Sequence, residues 1–474
     1  MGERTLVWFR GKDLRVTDHT PLARAAERGE VIPVFVFDPY FFSPERAAEL
    51  PHRMQFLLES IRDLAAALAA RGSQLVCVSG RSVEVIPRLA QAWGVTRVVA
   101  HRWVEPFGRT RDARIEAALS VPFDLFEGET LHPPGTLRTG KGTPYSVFTP
   151  FSRALRRTAS IGRPQPAPKK LEPVPAVARR DHEEIPTLAG LGLTRNPRLQ
   201  AGGETAAQAR LSAFSDVLAG YVAGRDRLAE QGTSRLSADL KFGTLSVRSV
   251  WWFVQSCGGP SEAVERFCTQ LVWRDFAHAT LWDRPQLLNS PFRSTWEGFP
   301  WRTDPTEWTA WTEGLTGYPV VDAAARQLLE TGYVHNRARM ITASFLCKHL
   351  LVDYRRGEAH FMRYLTDGDW AQNNLGWQWS AGSGCDAQPY FRVFNPISQG
   401  ERFDRDGTYV RRWLPVLAQL PKRYVHQPWT APEAVLRASG VELGENYPRP
   451  IVDHAFARGR FLATAKEYLG RARS

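Results

Sequence analysis

The sequence predicts a chain in two parts: an α/β N-terminal region on a mostly parallel sheet, a long connection, and an all-α C-terminal region. Three observations carry this expectation. Over residues 1–130, short apolar runs rich in β-branched and aromatic residues alternate with helical stretches. Between 164 and 197 seven prolines (Pro164, Pro166, Pro168, Pro173, Pro175, Pro186 and Pro197) break any regular pattern. Beyond residue 200, long amphipathic stretches follow one another with few strand signals.

Strands are expected at Thr5–Phe9, Val31–Phe37, Gln74–Val78, Arg97–Ala100 and Phe123–Phe126. The clearest intervening helix is Met54–Ala70, where Phe56, Leu57, Leu64 and Leu68 recur at helical spacing. This alternation predicts a parallel sheet with helices on both faces. No G-x-G-x-x-G follows the first strand and no G-x-x-x-x-G-K-[ST] occurs, so neither a dinucleotide turn nor a P-loop is indicated. Residues 131–200 read as an extended interdomain linker. Residues 201–474 form the helical region, with helices expected at Ala206–Leu218, Val247–Cys257, Ala263–Leu281, Ala323–Glu330 and Arg337–Leu351.

Composition narrows the class. In 474 residues, 43% hydrophobic and 23% charged content are those of a soluble globular protein, and no apolar run is long enough for a membrane span. The N-terminus lacks the apolar stretch of a signal peptide, and five scattered cysteines form no C-x-x-C pair. A cytoplasmic protein with free thiols and no metal site is expected. The net charge of +12 suggests a polyanionic partner, although only 8 of the 61 basic residues are Lys, so coding bias competes with that reading. Thirteen of the 16 tryptophans follow residue 250, which directs attention to the helical region.

Four segments there carry chemistry. Gly232–Ser237 sets hydroxyls and backbone N–H groups before a helix, either as an anion site or as an ordinary cap. Gln270, Trp273 and Arg274 share one helix face, either as a pocket wall or as a helix edge with Arg274 held by a carboxylate. Asn336, Arg339 and Met340 share another. Asp367–Trp379 packs two carboxylates, two adjacent amides and three tryptophans, poor core material that suits a planar heterocycle with a polar edge.

These segments together resemble the photolyase/cryptochrome family over nearly the whole chain. The resemblance rests on Trp8–Arg15 with Asp18, Gly232–Ser237, Trp273–Phe276, Thr316–Asp322, His335–Met340, Asp367–Trp379, Pro389–Pro396 and Tyr409–Pro415. It implies a Rossmann-like N-terminal antenna-type domain and a helical domain holding FAD. By family position, Tyr221, Thr233, Ser234, Arg235, Leu236 and Ser237 hold the diphosphate region. Phe267, Arg274, Asn336, Arg339, Asp367, Asp369 and Asn373 complete the cofactor set. The implied reaction is light-driven repair of cyclobutane pyrimidine dimers in DNA, by electron transfer from excited reduced FAD to a flipped-out dimer. Trp273 and Trp379 are expected to sandwich the dimer beside Gln270, Asn336 and Met340, with Arg225, Arg337 and Arg392 on phosphates. Trp377, Tyr354 and Trp301 occupy the electron-relay positions.

Within the family, the (6-4) photolyases place histidines where Asn336 and Met340 stand, and the DASH cryptochromes place Tyr where Trp379 stands. The pattern resembles a microbial class I enzyme acting as a monomer. Three departures accompany it. Gln270 replaces the usual Glu, and Tyr354 replaces a tryptophan, so a detour through Trp370 is expected. Arg102 and Trp103 replace polar antenna contacts, although Arg53 and Lys241 resemble deazaflavin contacts. The antenna, deazaflavin or folate, is left unassigned. A cryptochrome-like blue-light photoreceptor that uses the same flavin site without repair is the alternative, and a flavoprotein binding undamaged DNA the third reading.

Overall fold

The computed structural model describes residues 3–471. Five strands, β1 (Glu3–Phe9), β2 (Gly29–Phe37), β3 (Val76–Ser79), β4 (Arg97–His101) and β5 (Phe123–Phe126), form one sheet in the order β3-β2-β1-β4-β5. Every pairing is parallel, with Val7 opposite Pro33 and Val99, and Val36 opposite Val78. The two-residue period explains why both faces are apolar. Val7, Phe9, Phe35 and Cys77 enter one core with Phe56, Ile61 and Leu64, while Leu6, Trp8, Val34 and Val76 enter another with Ile86, Leu89 and Trp93. The crossover helices are α1 (Thr20–Arg28), α2 (Pro51–Ala69), α3 (Ser82–Ala92) and α4 (Pro106–Ala118).

Further helices follow: α5 (Phe148–Thr158), α6 (Glu204–Leu218), α7 (Ser237–Phe242), α8 (Val247–Ser256), α9 (Ser261–Asp283), α10 (Pro305–Glu313), α11 (Pro319–Thr331) and α12 (Asn336–Lys348). After these come α13 (Tyr354–Tyr364), α14 (Trp370–Ala381), α15 (Pro396–Phe403) and α16 (His454–Arg471). Most of 131–200 is irregular, as its prolines dictate. Helix α5 is the longest exception, beside a single helical turn at Ala176–Arg179, and Phe148, Phe151 and Leu155 on one face bury it.

The chain divides into two compact units. The first comprises Met1–Val222, Ser234–Pro285 and Thr366–Gly368, and so includes the sheet together with α5–α9. A third core, with Leu211, Phe214, Leu218, Tyr221, Val250, Phe267 and Leu271, joins α6, α8 and α9. These helices are tied to the strand region by polar contacts. Asp18 pairs with Arg248, and the Glu204 carboxylate accepts from Val16 N at 2.7 Å and Thr17 N at 3.1 Å. Gly243 (φ +63°) has no room for a Cβ, which would meet the Lys12 carbonyl.

The second unit comprises Ala223–Thr233, Gln286–Leu365 and Asp369–Ser474. Its core gathers Val320, Val321 and Leu328 of α11, Ile341, Phe345 and Leu346 of α12, Phe361 of α13 and Trp377 of α14. Among the described residues no helix is long and apolar enough to cross a membrane.

Candidate functional site

The candidate residues are distributed over both units. In the first, Tyr221 and Phe267 are buried and cross edge-to-face at 5.5 Å, so packing fixes both rings. The loop before α7 turns through Arg235, which holds φ +56° without being glycine. The Ser234 hydroxyl accepts from Leu236 N at 3.4 Å, Leu236 is buried, and Arg235 and Ser237 are exposed. Asp367 is buried, and its charge acts on half-buried Arg53, whose pKa desolvation lowers to about 10.

On α9, Arg274 is buried. Its guanidinium donates to the backbone carbonyls of Glu129 and of Leu240, the latter at 3.3 Å, so the carboxylate-held alternative is corrected. Trp273 and Gln270 are half-buried on the same helix. Trp273 lies parallel to Phe148, 5° between planes and 3.6 Å between centroids, with Phe276 edge-on at 5.8 Å. Phe148 therefore fixes the plane of Trp273, a role the sequence concealed because the two are 125 residues apart. The Gln270 amide reaches back to the Arg266 carbonyl at 3.4 Å.

In the second unit, α12 starts at His335, whose Nδ1 accepts from Arg337 N at 3.1 Å. An acceptor Nδ1 puts the proton on Nε2, and the Arg225 backbone gives the ring its second hydrogen-bond partner. Burial lowers the pKa of His335 to about 4, so it is neutral. Asn336 is exposed, with its Nδ2 3.7 Å from Met340 Sδ, one turn on. The Arg339 Nε donates to Val334 O at 2.7 Å, which orients its guanidinium. Arg337 pairs with Asp226 at 2.9 Å and lies 4.3 Å over Phe403. Arg225 and Thr233 are half-buried beside the close approach of Gly224 and Gly232, where a Cβ on Gly232 would come 2.5 Å from Gly224.

Asp369 caps α14 by accepting from Gln372 N at 3.0 Å. The Asn373 Nδ2 donates to Glu358 O at 3.0 Å, which turns Oδ1 outward as an acceptor. Glu358 is buried, takes hydrogen bonds from Asn374 Nδ2 at 3.1 and 3.2 Å, and has its pKa pushed up by burial to about 8. Trp379 is half-buried, Arg392 exposed, and Trp377 buried. The tryptophan in ring contact with Trp377 is Trp311, at 6.0 Å, and Trp311 in turn meets Trp308 at 5.6 Å. Trp301 stacks on Trp296 at 6.1 Å, and Tyr354 is buried with its hydroxyl unpartnered. Sequence reasoning missed His335, Glu358, Trp308 and Trp311, because their pairing is tertiary.

These residues fit a flavin cofactor. Asn373 Oδ1 is a held acceptor and Arg339 is an oriented cation, a pair that suits a planar, polar-edged and anionic group.

A second buried group, Asp13, His19 and His101, has metal-like spacing. The His19 Nδ1 accepts from Leu22 N at 3.1 Å, so its proton sits on Nε2 and no lone pair faces Asp13. The His101 Nδ1 also lies 3.2 Å from Asp13, and the two imidazoles hold that carboxyl well below the usual range. The arrangement is an ionised aspartate between two histidines. Nearby, Trp103 is buried under Arg111, Arg10 and Lys12 (4.4, 5.4 and 5.7 Å).

Comparison with known proteins agrees with this geometry. Residues 5–172 match the family described as DNA photolyase, and 267–467 the FAD binding domain of DNA photolyase. A deoxyribodipyrimidine photo-lyase of Agrobacterium fabrum is 41% identical, covering 97% of this chain and 96% of its own. The chain belongs to the DNA photolyase/cryptochrome family. The photo-lyase of Escherichia coli is 38% identical over 97% of both chains. Among solved structures, a bacterial class III photolyase from Agrobacterium tumefaciens superposes with TM-score 0.91 at 39% identity, covering 99% and 98% of the two chains. A cryptochrome from Synechocystis gives 0.89 at 32%, covering 97% and 99%. The family expectation, the two-part fold and the flavin domain are borne out.

Proposed function

We propose that this photolyase-family enzyme reverses cyclobutane pyrimidine dimers in DNA by light-driven electron transfer. The observation that carries the reading is near full-length identity to proteins named deoxyribodipyrimidine photo-lyase, with Trp273, Asn336, Met340 and Trp379 at the lesion positions. When bound and reduced, FAD supplies an excited-state electron that opens the cyclobutane ring and then returns, so no side chain acts as nucleophile.

The chain's own residues bind, orient and exclude water. Tyr221, Thr233, Ser234, Arg235, Leu236, Ser237 and Phe267 form the diphosphate side, and Arg274, Asp367 and Asp369 secure the backbone around it. With the cofactor bound, Arg339 would balance its negative charge, and Asn373, held by Glu358 O, would offer Oδ1 to accept a hydrogen bond from a ring N–H. Trp273, held flat by Phe148, and Trp379 stack on the dimer, at ~1–3 kcal/mol per base. The Gln270 amide both donates and accepts, so it can serve a pyrimidine edge where a carboxylate only accepts. Arg225, Arg337 and Arg392 contact phosphates.

We keep 1–130, 131–200 and 201–474 as the antenna-type domain, linker and cofactor domain, and a monomer acting in the cytoplasm as the working state. The subclass is not carried over, because one neighbour is described as class III. The antenna stays unassigned; an archaeal neighbour from Sulfolobus tokodaii, TM-score 0.84 at 28% identity, is described with two FAD molecules. The likeness to the Synechocystis cryptochrome favours a photoreceptor as second reading. Binding separates the two. A dimer-containing oligonucleotide is expected to bind at least tenfold tighter than the undamaged one, with the preference lost in Trp379→Ala; equal affinities contradict repair.

A further inference from the structure

Lys348, at the C-terminal end of α12, is fully buried, and neither the lesion residues nor the cofactor set includes it. Burying an ammonium is expensive unless something satisfies it. Its Nζ donates one hydrogen bond, 2.8 Å to the carbonyl of Arg392, and lies 5.7 Å from the Phe461 ring of α16. The acceptor belongs to the loop between α14 and α15. That loop exposes Phe391 and the Arg392 side chain to solvent while the Arg392 carbonyl turns inward.

Packing holds part of the loop: Tyr390 and Val393 rest on the cluster of Trp296, Phe299, Leu351 and Phe461, and Phe394 on the main core of this unit. Gln388 Nε2 reaches Ser380 O at 3.2 Å near its start, Arg392 N closes a turn on Pro389 O at 3.0 Å, and Asn395 caps α15 through Ile397 N at 2.9 Å. Asp386 holds φ +49°, so the backbone is also set in an uncommon conformation before the exposed pair. Beside that packing, the hydrogen bond from Lys348 ties the Arg392 backbone itself to α12.

We propose that Lys348 is a positioning residue that clamps the Tyr390–Asn395 loop through the Arg392 carbonyl and so presents Phe391 and Arg392 to the DNA backbone. The DNA role rests on the proposed function; the clamp itself does not. One helix then serves two tasks. Its first two turns carry Asn336, Arg337 and Met340 toward the lesion, and its last turn fixes the loop that grips the flanking strand. A lysine suits the clamp because its four-carbon stem packs in the apolar core while only the tip reaches the carbonyl.

The test is limited trypsin digestion of the FAD-loaded protein, read by mass spectrometry at the Arg392–Val393 bond, beside affinity for a dimer-containing oligonucleotide. Lys348→Met keeps the length and removes the donor. Cleavage there is expected to rise about tenfold, the factor carried by one charge-assisted hydrogen bond, and the dimer affinity to fall several-fold with flavin content unchanged. Lys348→Arg keeps a cationic donor and should stay near wild type. Unchanged cleavage in Lys348→Met overturns the clamp, as does an equal rise in both variants; faster cleavage with unchanged affinity overturns its DNA role. Hydrogen exchange on the wild type needs no substitution. The Arg392 and Val393 amides should exchange slowly, and exchange at unprotected-loop rates refutes the clamp. A wild type with no preference for dimer DNA fails the proposed function instead, and shows it before any substitution is made.

Discussion

Tyr354 shows how a single side chain changes the expected electron route. A tyrosine is readily oxidised only if its proton has somewhere to go, yet its hydroxyl is buried without a partner and burial pushes its pKa up. The detour expected through Trp370 is also unsupported, because that indole is exposed and makes no ring contact among the described residues. The aromatic contacts of Trp377 lead instead to Trp311 and on to half-buried Trp308. Trp311→Phe is therefore expected to slow flavin photoreduction more than Tyr354→Phe, measured by absorbance under blue light with an external reductant. A larger effect from Tyr354→Phe contradicts this route. The tryptophan skew made this half of the chain legible, but which indoles touch is fixed by α10 packing against α14 and has no local signature. Asn373 was legible as an amide; its orientation was not, because the anchor is a backbone carbonyl on another helix.

Helices α13 and α14 pack through a glycine. A Cβ at Gly357 would come 2.2 Å from the Trp377 ring, so only glycine lets the helices approach this closely. Gly357→Ala is expected to cost ~1–3 kcal/mol as overpacking, lowering Tm and loosening Trp377. An unchanged Tm and near-ultraviolet circular dichroism spectrum would show that the helices can part freely. Helix α5 makes the complementary point. Proline-rich flanks made its segment read as linker, and only its burial against α9 shows why Phe148 matters. Phe148→Ala should leave flavin content intact while weakening dimer binding several-fold, since Trp273 then loses its supporting ring. The strands and long amphipathic helices, by contrast, were readable within a few residues. Their period is local, as for Phe123–Phe126, observed where expected, and Ala263–Leu281, observed as Ser261–Asp283.

For the whole molecule, buried charge makes stability depend on pH in opposing ways. Glu358 has its folded pKa raised to about 8, so the stability it contributes is full below the unfolded value near 4.5 and is lost as pH rises through 8. Lys348 has its folded pKa lowered to about 7 by burial, so its contribution is full above the unfolded value near 10.5 and is lost as pH falls through 7. Glu358→Gln should flatten the decline in Tm between pH 5 and 8; a wild-type slope in that variant contradicts the assignment. The net charge of +12 was ambiguous in the sequence, and the structure shows Arg337 paired with Asp226 and Arg392 exposed.

The most direct measurement is recovery of thymine absorbance from a dimer-containing oligonucleotide mixed with the reduced, flavin-loaded protein under blue or near-ultraviolet light. Multiple-turnover recovery is expected under illumination and none in the dark, with Trp379→Ala sharply reduced. Specific flavin photoreduction without any recovery above the dark control would contradict repair and leave a photoreceptor in its place.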